Sequence, residues 1–322
     1  MADSLLRAIT TFVDRRTAPA WVMACRYRLE YLAMRLFALS ISAFPIELNL
    51  QTARVLGRLW HRVMRRHRNR AMEHLRMALG DTYSERQLET IARKSFEHFA
   101  QLYLIELVQT PRLLSQWSWS RHIELGEIGP ALRELLADRG AIMLTAHFGN
   151  FELLGYAIAK LGLPLVAVMR PLDNPLLNDF LMSSREASGL RLLYKKGATQ
   201  SAQEALDNKE TLCYIADQNA GRKGLFVDFF GKKASTYKSI GLLAASHDVP
   251  VIVGYAARIG RGFRYRIEVE RIIRPEEWRN REDPVFWITQ EYSWALESAI
   301  RKHPEQYLWM HRRWKSRPRD EE

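Results

Sequence analysis

Apolar residues recur three and four positions apart along residues 1 to about 120, with few turn signals between them, and this spacing predicts a helical N-terminal layer. Within it the stretch RVLGRLWHRVMRRHRNRAMEHLR, residues 54–76, lines up Leu56, Leu59, Trp60, Val63 and Met64 at helical spacing and sets eight arginines around them. Two readings of this basic amphipathic helix stand: a solvated face over a stripe packed on the core, or a contact with a membrane surface or acidic partner. From Gly140 the pattern changes to short apolar runs with β-branched residues, AIMLTA, LVAVMR, RLLY, TLCYIA and VIVGYAA, separated by helical stretches. Strands alternating with helices predict an α/β fold with a mixed, mostly parallel sheet flanked by helices. The run Val251 to Arg258, turning through IGRGF into YRIEVERI, predicts a hairpin that closes the sheet with an antiparallel pair. A last helix is expected from about Pro284 to Lys302. The organisation expected is a helical, membrane-associating region over residues 1–120 and an α/β domain over 121–322, continuous with it and without a clear linker.

Composition narrows the classes. Of 322 residues 47% are hydrophobic and 26% charged, values that argue against a disordered chain and a polytopic membrane protein. A net charge of +12 points to an anionic partner without choosing among nucleic acid, an anionic membrane surface, a phosphate-bearing cofactor and an acidic carrier protein. Nine Trp suit a membrane interface, where an apolar ring with one polar N–H fits the headgroup region. Cys25 and Cys213 support neither a disulfide framework nor a structural zinc site, and a reducing cytoplasmic setting is the default. The stretch MADSLLRAITTFVDRRTAP carries Asp3 and Asp14 and lacks a long apolar core, so no cleaved signal peptide is expected. A membrane span needs about 20 apolar residues. The best stretch, Leu29 to Pro45, is broken by Glu30 and Arg35 and reads as a span, a buried helix or one lying in the interface plane.

The stretch AIMLTAHFGNFELL, residues 141–154, reads as strand, tight loop and helix, with Asn150 as the helix N-cap. His147 then sits at the carboxyl end of a strand, where open α/β sheets place their ligands. On a continuous helix His147 and Glu152 would diverge by about 140°. With His147 in the loop and Glu152 in the first helical turn, the carboxylate is expected to reach back to an imidazole nitrogen, fix its tautomer and stabilise the imidazolium formed on proton transfer. The competing reading is a structural hydrogen-bond pair. Zinc fits less well, because the spacing is not the i, i+4 of two ligands on one helical face and no third ligand is near.

His147-Phe-Gly-Asn-Phe-Glu152 resembles the H-x4-D/E motif of the glycerolipid acyltransferase superfamily. Its surroundings resemble one branch, the bacterial lipid A biosynthesis lauroyl and myristoyl acyltransferases: Arg170-Pro-Leu-Asp-Asn-Pro175, Arg185 with Gly189, Ala216-Asp-Gln218, Phe226-Val-Asp-Phe-Phe-Gly231 with Thr236, and Pro304-Glu-Gln-Tyr-Leu-Trp-Met-His-Arg-Arg-Trp-Lys315. These matches run in family order from about residue 60 to the C-terminus. The resemblance implies a glycerolipid-acyltransferase-like fold, an acyl donor on acyl carrier protein or coenzyme A, and a hydroxyl acceptor on a lipid. That acceptor is expected to be a lipid A precursor, with a phosphatidylinositol mannoside or an aminolipid as the alternative. It implies His147 as base, Glu152 as its partner, no cofactor, and work at the cytoplasmic face of the inner membrane, peripherally or weakly anchored through the N-terminal region. The family's usual N-terminal anchor is clearer than the run between residues 29 and 45.

Arg170 closes the strand LVAVMR, placing a cation at the sheet edge to hold a phosphate or the developing oxyanion, or else to make a surface ion pair with Asp173. Asp217 and Gln218 follow the strand TLCYIA and are expected as acceptor or active-site scaffold contacts, with loop capping as the bland competitor, and Asn150 and Arg185 are expected to bind substrate. Phe226, Phe229 and Phe230 wall an acyl groove or pack in the core, and the aromatic, cationic tail from Tyr307 to Lys315 suits an interface or ordinary packing. A nucleic-acid-binding protein would satisfy the charge but predicts a reading motif, and the chain contains none.

Overall fold

A computed structural model describes residues 19–115, 117–169, 171–186, 188–194 and 198–318. The stretch read for a signal peptide lies outside them apart from Pro19, as does Arg170.

The N-terminal layer is helical: α1 (Ala20–Ser42), α2 (Ile46–Val63), α3 (Arg65–Leu79) and α4 (Glu85–Gln101). A π-helical turn, Leu102–Glu106, then carries the chain into α5 (Leu107–Leu113). Ser84 opens α4, its N–H donating to Gln87 Oε1 at 2.9 Å, a start signal legible in the sequence SERQ. The apolar face of α4, with Leu88, Ile91, Phe96 and Phe99, and that of α3, with Ala71, Leu75 and Leu79, enter the same core as the sheet residues Ile142, Leu144, Val251 and Val253. These two helices are therefore part of the globule. By contrast α1 buries only Ile41. Glu30, which interrupts the candidate span, accepts from Asn174 Nδ2 at 2.9 Å, and Tyr31 packs edge-on to Phe180 at 6.2 Å between centroids, so this helix leans on the body through a polar and an aromatic contact. Among the described residues no helix is long and apolar enough to cross a membrane.

The main sheet has seven strands: β1 (Ile123–Leu125), β2 (Ala141–Thr145), β3 (Leu165–Met169), β4 (Arg191–Tyr194), β5 (Thr211–Ile215), β8 (Val251–Arg258) and β9 (Tyr265–Ile273). Their order is β1-β9-β8-β2-β5-β3-β4. Every pairing is parallel except β8 with β9, the antiparallel hairpin expected from the sequence. All five residues of β2 are buried, as expected for a central strand covered on both faces. Helices α6 (Gly129–Leu135), α7 (Phe151–Lys160), α8 (Pro175–Glu186), α9 (Ala198–Asp207) and α10 (Ser239–His247) form the connections, and the short α11 (Pro275–Trp278) leads to α12 (Pro284–Lys302).

A second, two-stranded sheet, β6 (Leu225–Phe229) with β7 (Lys232–Thr236), was not legible as strands. Two of the three aromatics here belong to the core, while Phe226 is only half-buried. Phe229 and Phe230 are buried and pack edge-on to each other and against Trp314. The tail is interior too, with Tyr307, Trp309 and Trp314 buried and Arg313 only 2% exposed. Arg313 donates there through its two Nη atoms, to the Ser235 carbonyl at 2.6 Å and to Thr236 Oγ1, while its Nε has no partner among the described residues. A guanidinium held this way is a strut between the tail and β7, since a buried cation needs its donors matched.

Candidate active site

The loop after β2 is stitched to two neighbours. Phe148 bridges antiparallel to Tyr307, and Leu308 N–H donates to the His147 carbonyl at 3.0 Å. Gly149 N–H donates to the Gln306 carbonyl at 3.0 Å and Asn150 N–H to the Ala256 carbonyl of β8 at 2.9 Å. Gly149 has a φ of +56°, and a Cβ there would lie 2.1 Å from the Ala256 oxygen, so both the backbone region and the close approach require glycine.

Asn150 caps α7 as expected, its side chain accepting from Leu153 N–H at 2.8 Å. Its other polar atom, Nδ2, donates to Glu106 Oε2 at 2.9 Å, and the residue has no exposed surface. Expected as a substrate contact, it is a buried scaffold residue instead. Glu106 is a wholly buried carboxylate that also accepts from Tyr265 and from the guanidinium of Arg258.

His147 does not pair with Glu152. Its Nδ1 lies 2.8 Å from Asp217 Oδ1, and its backbone N–H donates to Asp217 Oδ2 at 3.1 Å. The register explains the meeting: β2 pairs in parallel with β5, Thr145 opposite Ile215, so two residues further on His147 and Asp217 leave the sheet side by side. Burial disfavours the Asp217 carboxylate, yet His147, its hydrogen bond, His311 and Arg313 hold it well below the usual carboxylate range. Burial likewise opposes protonation of His147, and is outweighed by Asp217, by the hydrogen bond to it and by Glu152, so the imidazole is raised above its ordinary value. With Asp217 ionised, Nδ1 carries the proton and Nε2 is left as the acceptor. The ring is held edge-on to Phe151, 5.3 Å between centroids, and stacks on His311 at 5.7 Å. Burial lowers His311 to about 4, so it stands neutral against His147.

Glu152 forms a bidentate pair with Arg185, Nε to Oε2 at 2.9 Å and Nη2 to Oε1 at 2.5 Å. The two side chains are 25% and 18% exposed, which leaves them open to solvent at the site, unlike Asp217. Glu152 still acts on His147 through its charge. A short sequence separation favoured Glu152 as the imidazole's partner; Arg185, from α8, claims it geometrically. Gln218 is exposed beside Asp217, and its carbonyl accepts from Arg313 at 3.3 Å. Asp217 was legible only as an acid after a strand, because its role depends on β2 and β5 being neighbours. Glu106, Arg258 and His311 carried no local signal.

This architecture offers one proton acceptor, Nε2 of His147, backed by a buried anion, with a carboxylate–guanidinium pair alongside. Such an arrangement suits removal of a proton from a hydroxyl. The model of the family described as "Bacterial lipid A biosynthesis acyltransferase" matches residues 22–316. A "Lipid A biosynthesis acyltransferase" of Haemophilus influenzae is 32% identical over 182 residues, 56% of this chain and 57% of that protein. The "Lipid A biosynthesis lauroyltransferase" of Escherichia coli K12 is 27% identical over 307 residues, 91% of this chain and 93% of the relative. A "Phosphatidylinositol mannoside acyltransferase" of Mycobacterium tuberculosis is 24% identical over 41% of this chain and 43% of its own length. Among solved structures, the 1-acyl-sn-glycerophosphate acyltransferase of Thermotoga maritima aligns over 79% of this chain and 97% of that one, at 12% identity and a TM-score of 0.37.

Proposed function

From the premise that the chain belongs to the bacterial lipid A biosynthesis acyltransferase family, we propose that it moves a fatty acyl group from a thioester donor to a hydroxyl of a lipid A precursor. His147 Nε2 takes the acceptor's proton as the oxygen attacks the thioester carbonyl. The tetrahedral intermediate then collapses, the C–S bond breaks, and the imidazolium returns its proton to the departing thiolate. Asp217 holds the Nδ1 proton and stabilises the imidazolium. Glu152 adds a second negative charge, and Arg185, fixed by Glu152, is positioned to receive an anionic group of a substrate, with Gln218 lining the approach. Asn150 and Asp217 act from beneath as positioning residues. Arg170 is assigned the developing oxyanion from its place in the sequence alone. The donor thiol belongs to acyl carrier protein or coenzyme A.

The observation that carries this reading is His147 at the carboxyl edge of the sheet, 2.8 Å from Asp217 and raised in proton affinity by it. Work at the cytoplasmic face of the inner membrane is supported by two exposed apolar stripes at helical spacing, Leu29, Leu32, Leu36 and Leu39 on α1 and Leu48, Val55, Leu59 and Val63 on α2. Stripes of this size on a soluble surface are uncommon and suit the plane of a membrane interface. A second acceptor, a phosphatidylinositol mannoside, is favoured by mycobacterial relatives of that name.

The test is mass spectrometry of total lipids from cells making equal amounts of the wild-type protein or His147→Ala. One lipid gaining a single acyl chain only with wild type is the expected result and identifies the acceptor. The same gain with both proteins would remove His147 as the base. Extracts indistinguishable from an empty-vector control, in hosts supplying both acceptor classes, would overturn the acyl-transfer reading.

A further inference from the structure

A second concave site lies behind the His147 loop. It is a cavity of about 820 Å³ between α2, α4 and the β8–β9 turn, and His147, Asp217 and Glu152 take no part in its lining. Six cations border it, Arg54, Arg58, Arg93, Lys94, Arg258 and Arg261, against two carboxylates, Glu97 and Glu305. We propose that this cleft binds a phosphate-bearing anion, a role independent of the acyl-transfer reading.

The pairing of the cations shows which are uncommitted. Arg258 is neutralised by Glu106 and only 7% exposed, and its Nε is buried without a hydrogen-bond partner among the described residues. Arg58 and Arg93 converge on Glu97, Arg58 at 3.0 Å. Arg54, Lys94 and Arg261 have no ion pair or side-chain hydrogen bond among the described residues. Burial, then the neighbouring charges of Arg261, Arg258 and Arg58, lower the Arg54 guanidinium. Cations gathered in a concave site repel one another, and a polyvalent anion there removes that repulsion. Guanidinium forks match phosphate oxygens two at a time, which favours phosphate over a single carboxylate.

Two sources offer that chemistry, a phospholipid headgroup and a water-soluble phosphate ester. Val55 borders the cleft and is 59% exposed, continuous with the apolar stripe of α2, so a headgroup could enter while its chains lie along Leu56 and Leu59. The cleft also shares a wall with the His147 loop. His98, in its lining, lies with Nε2 3.0 Å from the Gly149 carbonyl, and the Gln306 carbonyl accepts from Gly149 N–H at 3.0 Å.

The test compares the full chain with Arg54→Ala/Arg261→Ala and with Arg191→Ala, which removes one charge from β4 at the opposite edge of the sheet. Neither Arg54 nor Arg261 supports a native pair, so the double variant should melt, without ligand, at or above the wild-type temperature. Inorganic pyrophosphate should raise the melting temperature of wild type and Arg191→Ala and leave the double variant unmoved. Binding to phosphatidylcholine vesicles containing phosphatidic acid, relative to phosphatidylcholine alone, should weaken about tenfold in the double variant if the occupant is a headgroup. Loss of the pyrophosphate effect with unchanged vesicle binding supports the site and assigns it to a soluble phosphate ester. A wild type indifferent to both probes, an equal loss in Arg191→Ala, or a ligand-free double variant that melts lower than wild type would each overturn the proposal.

Discussion

His98 and His147 flank the same glycine and are held at opposite proton affinities. Both are enclosed, and burial acts on each to expel a proton. His98, facing a peptide carbonyl with Arg258 nearby, yields to burial and falls to about 3. His147, with Asp217 against Nδ1, is raised. Burial alone therefore decides nothing about a histidine; the charge of its nearest partner does. One ring is a peg, neutral near pH 7, that holds the Gly149 carbonyl, and the other is a proton acceptor.

The sharpest way to break this contrast is to remove the anion from one side. Asp217→Asn should lower kcat on the order of 10²-fold or more, and the acid limb of kcat/KM, expected above the ordinary histidine value in wild type, should move to lower pH as burial takes over. An unchanged limb would mean that Asp217 does not set the titration. An effect at least as large, on stability, is expected in the peg's surroundings: Arg258→Met leaves Glu106 buried without its cation and should cost about 3–5 kcal/mol in urea unfolding. Glu152→Gln, acting on His147 only through space, should cost about tenfold in kcat/KM, with Arg185→Met adding little on top because the two act as a pair. Additive losses would separate them.

The smallest effect tests His98 itself. Its folded value lies below its unfolded value, so the folded state declines a proton that the unfolded chain accepts. Its contribution is complete above pH of about 6.5 and declines as pH falls toward its folded value, by up to about 1.4 kcal/mol per pH unit. His147 works in the other direction: its contribution is present below the unfolded value and disappears as pH rises through its raised folded value. His98→Asn should flatten the wild-type loss of stability between pH 6 and pH 5; an unaltered slope would assign that loss to His311 or elsewhere.

The strand, loop and helix around His147 were legible because their signals are local: a β-branched run, a glycine and a capping asparagine within a few residues. The resemblance carried by motifs spaced in order was legible in the same way, and the family model bears out the family. What escaped was set by strand order. Nothing in the sequence states that β5 lies beside β2, and that adjacency brings an acid 70 residues distant to His147 while Arg185 draws the local one away. The core role of Phe229, Phe230 and Trp314 escaped similarly, because aromatics beside cations look alike in a groove, at an interface and in an interior.

The π-helical turn at Leu102–Glu106 has a consequence for insertions and deletions. A π turn holds one residue more than an α turn, so it shifts the phase of everything after it along the helix. Glu106 ends that turn and supports Asn150, Tyr265 and Arg258 together. Excising one residue from 102–105 would restore ordinary α winding, rotate Glu106 by about 100° away from those three partners, and loosen the His147 loop without altering any residue of it.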